Sequence, residues 1–217
     1  MLRLAKTHET LGIVGDQFGG PTYAGDIAAA LVLIAKGDSH YRQKDYKKAN
    51  EQYKEAVNHL SASDKSIQKK LGETYKKLAQ SYKRLKDRVQ TAHYYKKALD
   101  VFTALKDKKN MARTLNTLAE AERYLDHFLV ALDYSIRGLE IHKQIDDEEG
   151  YAKASMGAGI IYRYIGRYEK SLEHIYDAQL YYKKVNNINR DILLALVPRK
   201  GVETLQHMHL NSLNDVF

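Results

Sequence analysis

From residue 37 onward apolar and polar positions alternate with a helical period, and the pattern itself recurs. Four blocks align: GDSHYRQKDYKKANEQYKEAV from Gly37, AQSYKRLKDRVQTAHYYKKAL from Ala79, AEAERYLDHFLVALDYSIRGL from Ala119 and GIIYRYIGRYEKSLEHIYDAQ from Gly159. Their starts lie 42, 40 and 40 residues apart. Each block opens on a small residue. Nine positions on comes a large ring in three of them, Tyr46, Phe128 and Tyr168, with Arg88 in the second. Small residues follow at Ala49, Thr91, Ala131 and Ser171, and again at Ala56, Ala98, Gly138 and Ala178. Spacings of three, four and seven share one helix face, so these positions form a buried stripe. Small side chains let paired helices approach closely, and the ring is expected to fill the space at the turn. Each block therefore reads as two helices.

The joints agree with this division. SASDKS offers Ser61, Ser63 and Asp64 as helix caps, while LKDKKN and IDDEEG are polar breaks. The run from Asp146 to Glu149 is expected to be solvated. A unit of this size cannot bury its face alone, so neighbours must stack. Ahead of the array, a helix is expected from about Tyr23, launched at Thr22 or Gly20 and continuing through Gly37 to near Gln43. Ile27, Leu31, Leu33 and Ile34 make it apolar all round, so residues 2–14 or a second chain should cover its outer side. After Asn186-Asn187, short helices over residues 191–197 and 201–211, separated by Pro198, should cap the open end.

The small–large–small pattern resembles the tetratricopeptide repeat family over residues 37–182. The fourth unit matches best, with Gly159, Tyr162, Gly166, Tyr168 and Ala178. The second departs most, with Lys86 and Arg88 in place of the turn glycine and the ring. The period of about 40 exceeds the 34 of the commonest form and resembles a longer-helix subclass found in bacterial regulators and scaffold proteins. The resemblance implies an all-α, right-handed solenoid of about four helix-turn-helix repeats, with an irregular N-terminal segment (1–36) and C-terminal capping helices (183–217).

The resemblance also implies that the first helix of each pair lines a concave, peptide-gripping face. The exposed columns there hold Tyr41, Lys83, Arg123 and Arg163, then Arg42, Arg84, Tyr124 and Tyr164. Lys76, Asn116 and Met156 lie a turn earlier, and Arg113 and Lys153 before them. Such a surface is basic with interleaved tyrosines, suited to an acidic segment or a C-terminal carboxylate.

Composition sharpens the picture without redirecting it. The net charge of +8 fits either a solvated basic surface or an anionic partner. A protein or peptide is the leading expectation, and nucleic acid on the same basic face is the runner-up. With no cysteine there is no disulfide framework, thiolate metal site or cysteine nucleophile, and a cytoplasmic location is expected. The most apolar run, residues 27–35, is far short of the roughly 20 residues of a membrane span.

Asp16-Gln17-x-Gly19-x-Pro21-Thr22, within residues 1–37, resembles the C-terminal part of dTDP-4-dehydrorhamnose reductases. That resemblance implies a strand over residues 11–14 leading to a helix near a sugar-nucleotide pocket. However, no strand followed by Gly-x-Gly-x-x-Gly exists in the chain. Tyr82-x-x-x-Lys86 has the spacing of the reductase pair but falls on a repeat helix. The nine histidines are scattered, His207-x-His209 makes a poor metal pair, and His93 and His174 read as packing or surface residues. No catalytic residue, cofactor or metal is expected.

Overall fold

The computed structural model describes residues 21–60 and 65–184, and these form eight helices. They are α1 (Pro21–Arg42), α2 (Tyr46–His59), α3 (Lys65–Arg84), α4 (Arg88–Ala104), α5 (Lys108–Tyr124), α6 (Phe128–Gln144), α7 (Glu148–Tyr164) and α8 (Tyr168–Lys184). The helix ahead of the array starts at Pro21, where a fixed φ and a missing N–H suit the first helical position. It runs unbroken into the first repeat. The expected strand at residues 11–14, the caps at Ser61, Ser63 and Asp64, and the C-terminal capping helices lie outside the described residues.

The helices pair as α1–α2, α3–α4, α5–α6 and α7–α8, and each pair packs on the next. Across the pairs, α1 also touches α3 and α5 touches α7. A curved two-layer stack brings its inner helices closer together than its outer ones. The odd helices therefore form the inner, concave layer.

All twelve small-residue positions of the repeat are buried, among them Ala49, Ala56, Ala98, Ala131 and Ala178 with no exposed surface. Their smallness is required. At Gly159 a Cβ would lie 2.8 Å from the Ile175 side chain and 3.0 Å from the Ser171 carbonyl. The Ser171 hydroxyl donates to the Gly159 carbonyl at 2.8 Å, which locks α7 against α8. At Gly37 a Cβ would run into the Tyr53 ring.

The turns are built alike. Lys44, Lys86, Lys106, Asp126, Asp146 and Gly166 all have φ between 53° and 76°. The amide of the following residue then donates to a carbonyl five residues back, as from Asp87 to Tyr82 and from Asp147 to His142, both at 3.0 Å. Asp45, Asp87, Asp107 and Asp147 next accept the amide three residues on and cap the new helix. Lys86 is thus no structural departure, since glycine serves only one of these six turns. Each non-glycine residue there carries strain of roughly 1 kcal/mol, which the closing hydrogen bonds offset.

Two expectations are corrected. The ring at the turn packs within its own unit at Tyr46, which meets Tyr41 edge-on at 5.2 Å, but not in the third unit. Phe128 stacks on Tyr164 of the next inner helix, with centroids 5.1 Å apart and planes 10° apart. Tyr168, with no following repeat among the described residues, stands 42% exposed. Nor is the Asp146–Glu149 run merely solvated. Besides capping α7, Asp147 accepts from His142, Glu148 pairs with Lys184 and Glu149 pairs with Lys153.

His142 joins three helices. It is wholly buried, with Nε2 3.0 Å from the Asn116 amide nitrogen and Nδ1 3.1 Å from the Asp147 carboxylate. A neutral ring satisfies both contacts: Nδ1–H donates to Asp147 and Nε2 accepts from Asn116. A protonated ring would turn an N–H against the Asn116 amide. Burial holds the His142 pKa below its ordinary value of 6.5, with Asp147 opposing and the Arg113 charge reinforcing. His174, stacked on Tyr162 and bonded to Ser155, is lowered by burial in the same way.

Two predictions follow from this packing. Gly157→Ala, whose Cβ meets nothing closer than Ser135 Oγ at 3.8 Å, should raise stability by roughly 0.5–1 kcal/mol through helix propensity. Gly159→Ala should lower it by about 1–3 kcal/mol by forcing α7 from α8; urea unfolding midpoints of the two variants decide. The second concerns pH. With a lowered native pKa, the unfolded state binds more protons as pH falls through about 6.5, so this histidine's contribution to stability is lost from there downward. His142→Gln should flatten that loss; an unchanged slope would contradict the assignment.

Candidate functional site

The inner helices bring most of the expected face together as a ladder of alternating guanidinium groups and rings. The Arg123 guanidinium lies 4.2 Å from the Tyr124 ring centre and 5.8 Å from that of Tyr164. Arg88 approaches the Tyr124 ring at 5.3 Å and Arg163 the Tyr164 ring at 5.6 Å. Further along, Arg84 Nε donates to the Tyr41 hydroxyl at 3.3 Å. Stacking on a ring fixes a guanidinium while leaving edge N–H groups for a carboxylate. Tyr124 and Tyr164 remain 41% and 53% exposed, with the Phe128 ring stacked on Tyr164.

Other expected residues are already engaged. Lys83 pairs with Glu120 at 2.6 Å, and Lys153 with Glu149. Lys76 is partly buried, donates to Asn110 at 3.3 Å and lies over the Phe102 ring. Burial, then the nearby Arg113 charge, pulls the Lys76 pKa below its usual range. Asn116 turns its amide inward to His142 and the Gly150 carbonyl, so it supports α5 and α7 from beneath the face. Arg113 is exposed and makes no ion pair among the described residues.

The side chains absent from the sequence expectation are Glu120, Glu149 and Arg88. The first two carry the pairing that turns a uniformly basic stripe into a patterned one. A signal existed for Glu120. It lies one repeat less three residues after Lys83, so the spacing that pairs charges along one helix pairs them across two units.

The reductase-like pair is taken apart. Tyr82 stacks on Tyr94 with centroids 5.4 Å apart and also meets Lys54, while Lys86 is exposed in the next turn. Among the described residues, no group of three or more His, Asp or Glu stands together to hold a metal. No helix among them is long and apolar enough to cross a membrane.

The RmlD substrate binding domain family model matches residues 1–130. Among curated proteins, dTDP-4-dehydrorhamnose reductase of Aggregatibacter actinomycetemcomitans is 64% identical over 36 residues, 17% of this chain and 12% of that one. The fold is similar to solved helical-repeat structures. The apo form of RapI has a TM-score of 0.73 at 22% identity, over 85% of this chain and 51% of that one. A Rap protein complexed with competence and sporulation factor has a TM-score of 0.58 at 20% identity, over 74% and 45%. The signal transduction ATPase with a tetratricopeptide repeat sensor, PH0952 from Pyrococcus horikoshii, has a TM-score of 0.63 at 23% identity, over 81% and 26%. The chain thus spans about half or less of these structures and a small part of the curated reductase. Within the family match, the described residues from Pro21 on form α1 to α5 and the start of α6, with no strand among them. Through residues 1–130 the chain belongs to the RmlD substrate binding domain family, and its described residues are folded as a right-handed, tetratricopeptide-like solenoid.

Proposed function

We propose that this chain is a non-catalytic binding module, an adaptor or sensory part, whose concave face grips a peptide or protein segment of acidic character. The observation that carries this reading is the exposed Arg88–Tyr124–Arg123–Tyr164–Arg163 ladder on the inner layer. The Arg88 and Arg123 guanidinium groups are held by rings, so they offer planar donor edges with little rotamer entropy left to lose on binding. Tyrosine adds rigid amphipathic contact area between them. A similarly folded Rap conjugation gene regulator was solved in complex with the Phr* peptide, which supports a peptide as the class of partner. The reductase likeness lends no support to catalysis, because it carries neither the dinucleotide-binding glycines nor a joined Tyr–Lys pair. A cytoplasmic placement goes with the cysteine-free chain.

The decisive variant is Arg123→Glu with Arg163→Glu. Selection from a display library of random peptides should enrich Asp- and Glu-rich sequences on the parent chain. The double variant should lose them by more than about tenfold while melting at a similar temperature. Equal binding by the variant, or a preference for oligonucleotides that collapses steeply with salt, would refute the reading.

The expected homodimer belongs to the same proposal. Leu31 and Val32 of α1 are 47% and 54% exposed, and a second copy would cover them. The parent chain should sediment as a dimer and Leu31→Glu/Val32→Glu as a monomer. A monomeric parent at high concentration refutes this.

A further inference from the structure

A cavity of about 390 Å³ opens where α3, α4 and α5 meet, between the second and third hairpins. Three cations line it: Lys83 from the end of α3, Lys86 from the turn and Arg88 from the start of α4. Glu120 is the one carboxylate in its wall and is paired with Lys83 at 2.6 Å. The lining therefore keeps a surplus of two positive charges. Arg88 is fixed in place, since it donates to the Tyr124 carbonyl at 2.7 Å and lies over the Tyr124 ring. Its remaining N–H groups have no partner among the described residues. Lys86 makes no ion pair among them either.

The repeat supplies an internal control. One unit further along, Arg88 becomes Phe128, Thr91 becomes Ala131, Thr117 becomes Gly157 and Glu120 becomes Ile160. There Lys83 and Lys86 correspond to Arg123 and Asp126, whose charges balance, and Phe128 stacks on Tyr164 where Arg88 would stand. One unit earlier, the polar groups are turned to one another: Ser81 to the Tyr46 carbonyl, Arg84 to Tyr41 and Lys77 to Asp38. A cavity of similar size between α6, α7 and α8 is lined by three carboxylates, Asp146, Asp147 and Glu148, against Lys143 and Lys184, so the surplus of positive charge distinguishes the cavity at Arg88. It is made by the one unit that puts arginine where the others carry a ring.

We propose that this cavity binds the phosphate monoester of a phosphorylated peptide residue. A doubly charged oxyanion matches the surplus of two charges, which a single carboxylate leaves half unanswered. The Thr91 and Thr117 hydroxyls give their protons to the Asp87 and Thr114 carbonyls at 2.6 and 2.9 Å. With those protons committed, the groups that face an anion in the pocket are Lys86 and Arg88. Tyr124 already bears two guanidinium groups on its ring, so it has no face prepared for a nucleotide base. The proposal takes the peptide carrier from the reading of the concave face, while the pocket rests on its own residues.

The test uses the full chain and three capped pentapeptides, Ala-Gly-Xaa-Gly-Ala, in which Xaa is phosphoserine, glutamate or serine. Binding is followed by amide shifts in two-dimensional NMR. Phosphoserine should move amides near Lys86–Thr91 and Thr117–Tyr124 and bind about tenfold tighter than glutamate, the difference a charge-assisted pair makes. That advantage should fade below about pH 6, where the phosphate takes up its second proton. Arg88→Gln and Lys86→Gln should each remove it, whereas Lys183→Gln should not. Equal binding of glutamate, shifts scattered over the whole basic surface, or phosphoserine binding untouched by Arg88→Gln would each overturn the proposal. If Arg123→Glu/Arg163→Glu abolishes peptide binding while Arg88→Gln does not, only the phosphate pocket fails. If Arg88→Gln alone matters, the groove reading fails and the pocket stands.

Discussion

Everything in this molecule depends on how closely the two helices of a hairpin approach. The contact of Gly159 with the Ser171 carbonyl and Ile175 shows the limit, since a single methyl group there has no room. Small residues recur at the same point in each unit and all are buried. Close approach sets the slope of each hairpin, and repetition of that slope produces the curved stack. Curvature then brings the odd helices together on one side, so the concave layer is a consequence of side-chain volume rather than of any residue on the face itself.

The turns hold that geometry without relying on glycine. Lysine or aspartate takes the left-handed position in five of the six described turns, and the hydrogen bond five residues back closes each one. Aspartate then caps the next helix in four of them. The left-handed position faces solvent and bears no packing load, so a long charged side chain fits there. This places Lys86 beside Arg88 and Lys83 and lets a structural turn contribute charge to a cavity.

The concave face is patterned by pairing more than by net charge. Lys83 and Lys153 are met by Glu120 and Glu149, Lys76 is drawn into the packing, and Asn116 serves His142. Beside the exposed Arg113 and Lys86, Arg88 and Arg123 lie over tyrosine rings. Ring contact costs a guanidinium little hydration and fixes its plane, which suits arginine to these positions.

The sequence by itself determined the repeat, the helix pairs and the buried small positions, because a solenoid uses local spacing over and over and each unit meets only its neighbours. It also placed Arg123, Arg163, Tyr124 and Tyr164 on one side, since helical spacing fixes a face. Tertiary structure decided what those side chains do. Lys83 and Glu120 are 37 residues apart in the chain and Asn116 and His142 are 26 apart. Their pairing follows from how the hairpins stack, which no single helix period encodes. The same holds for the cavity at Arg88. Along the chain it reads as a lost aromatic ring, and only the stacking of the second hairpin on the third turns that loss into a space lined with charge.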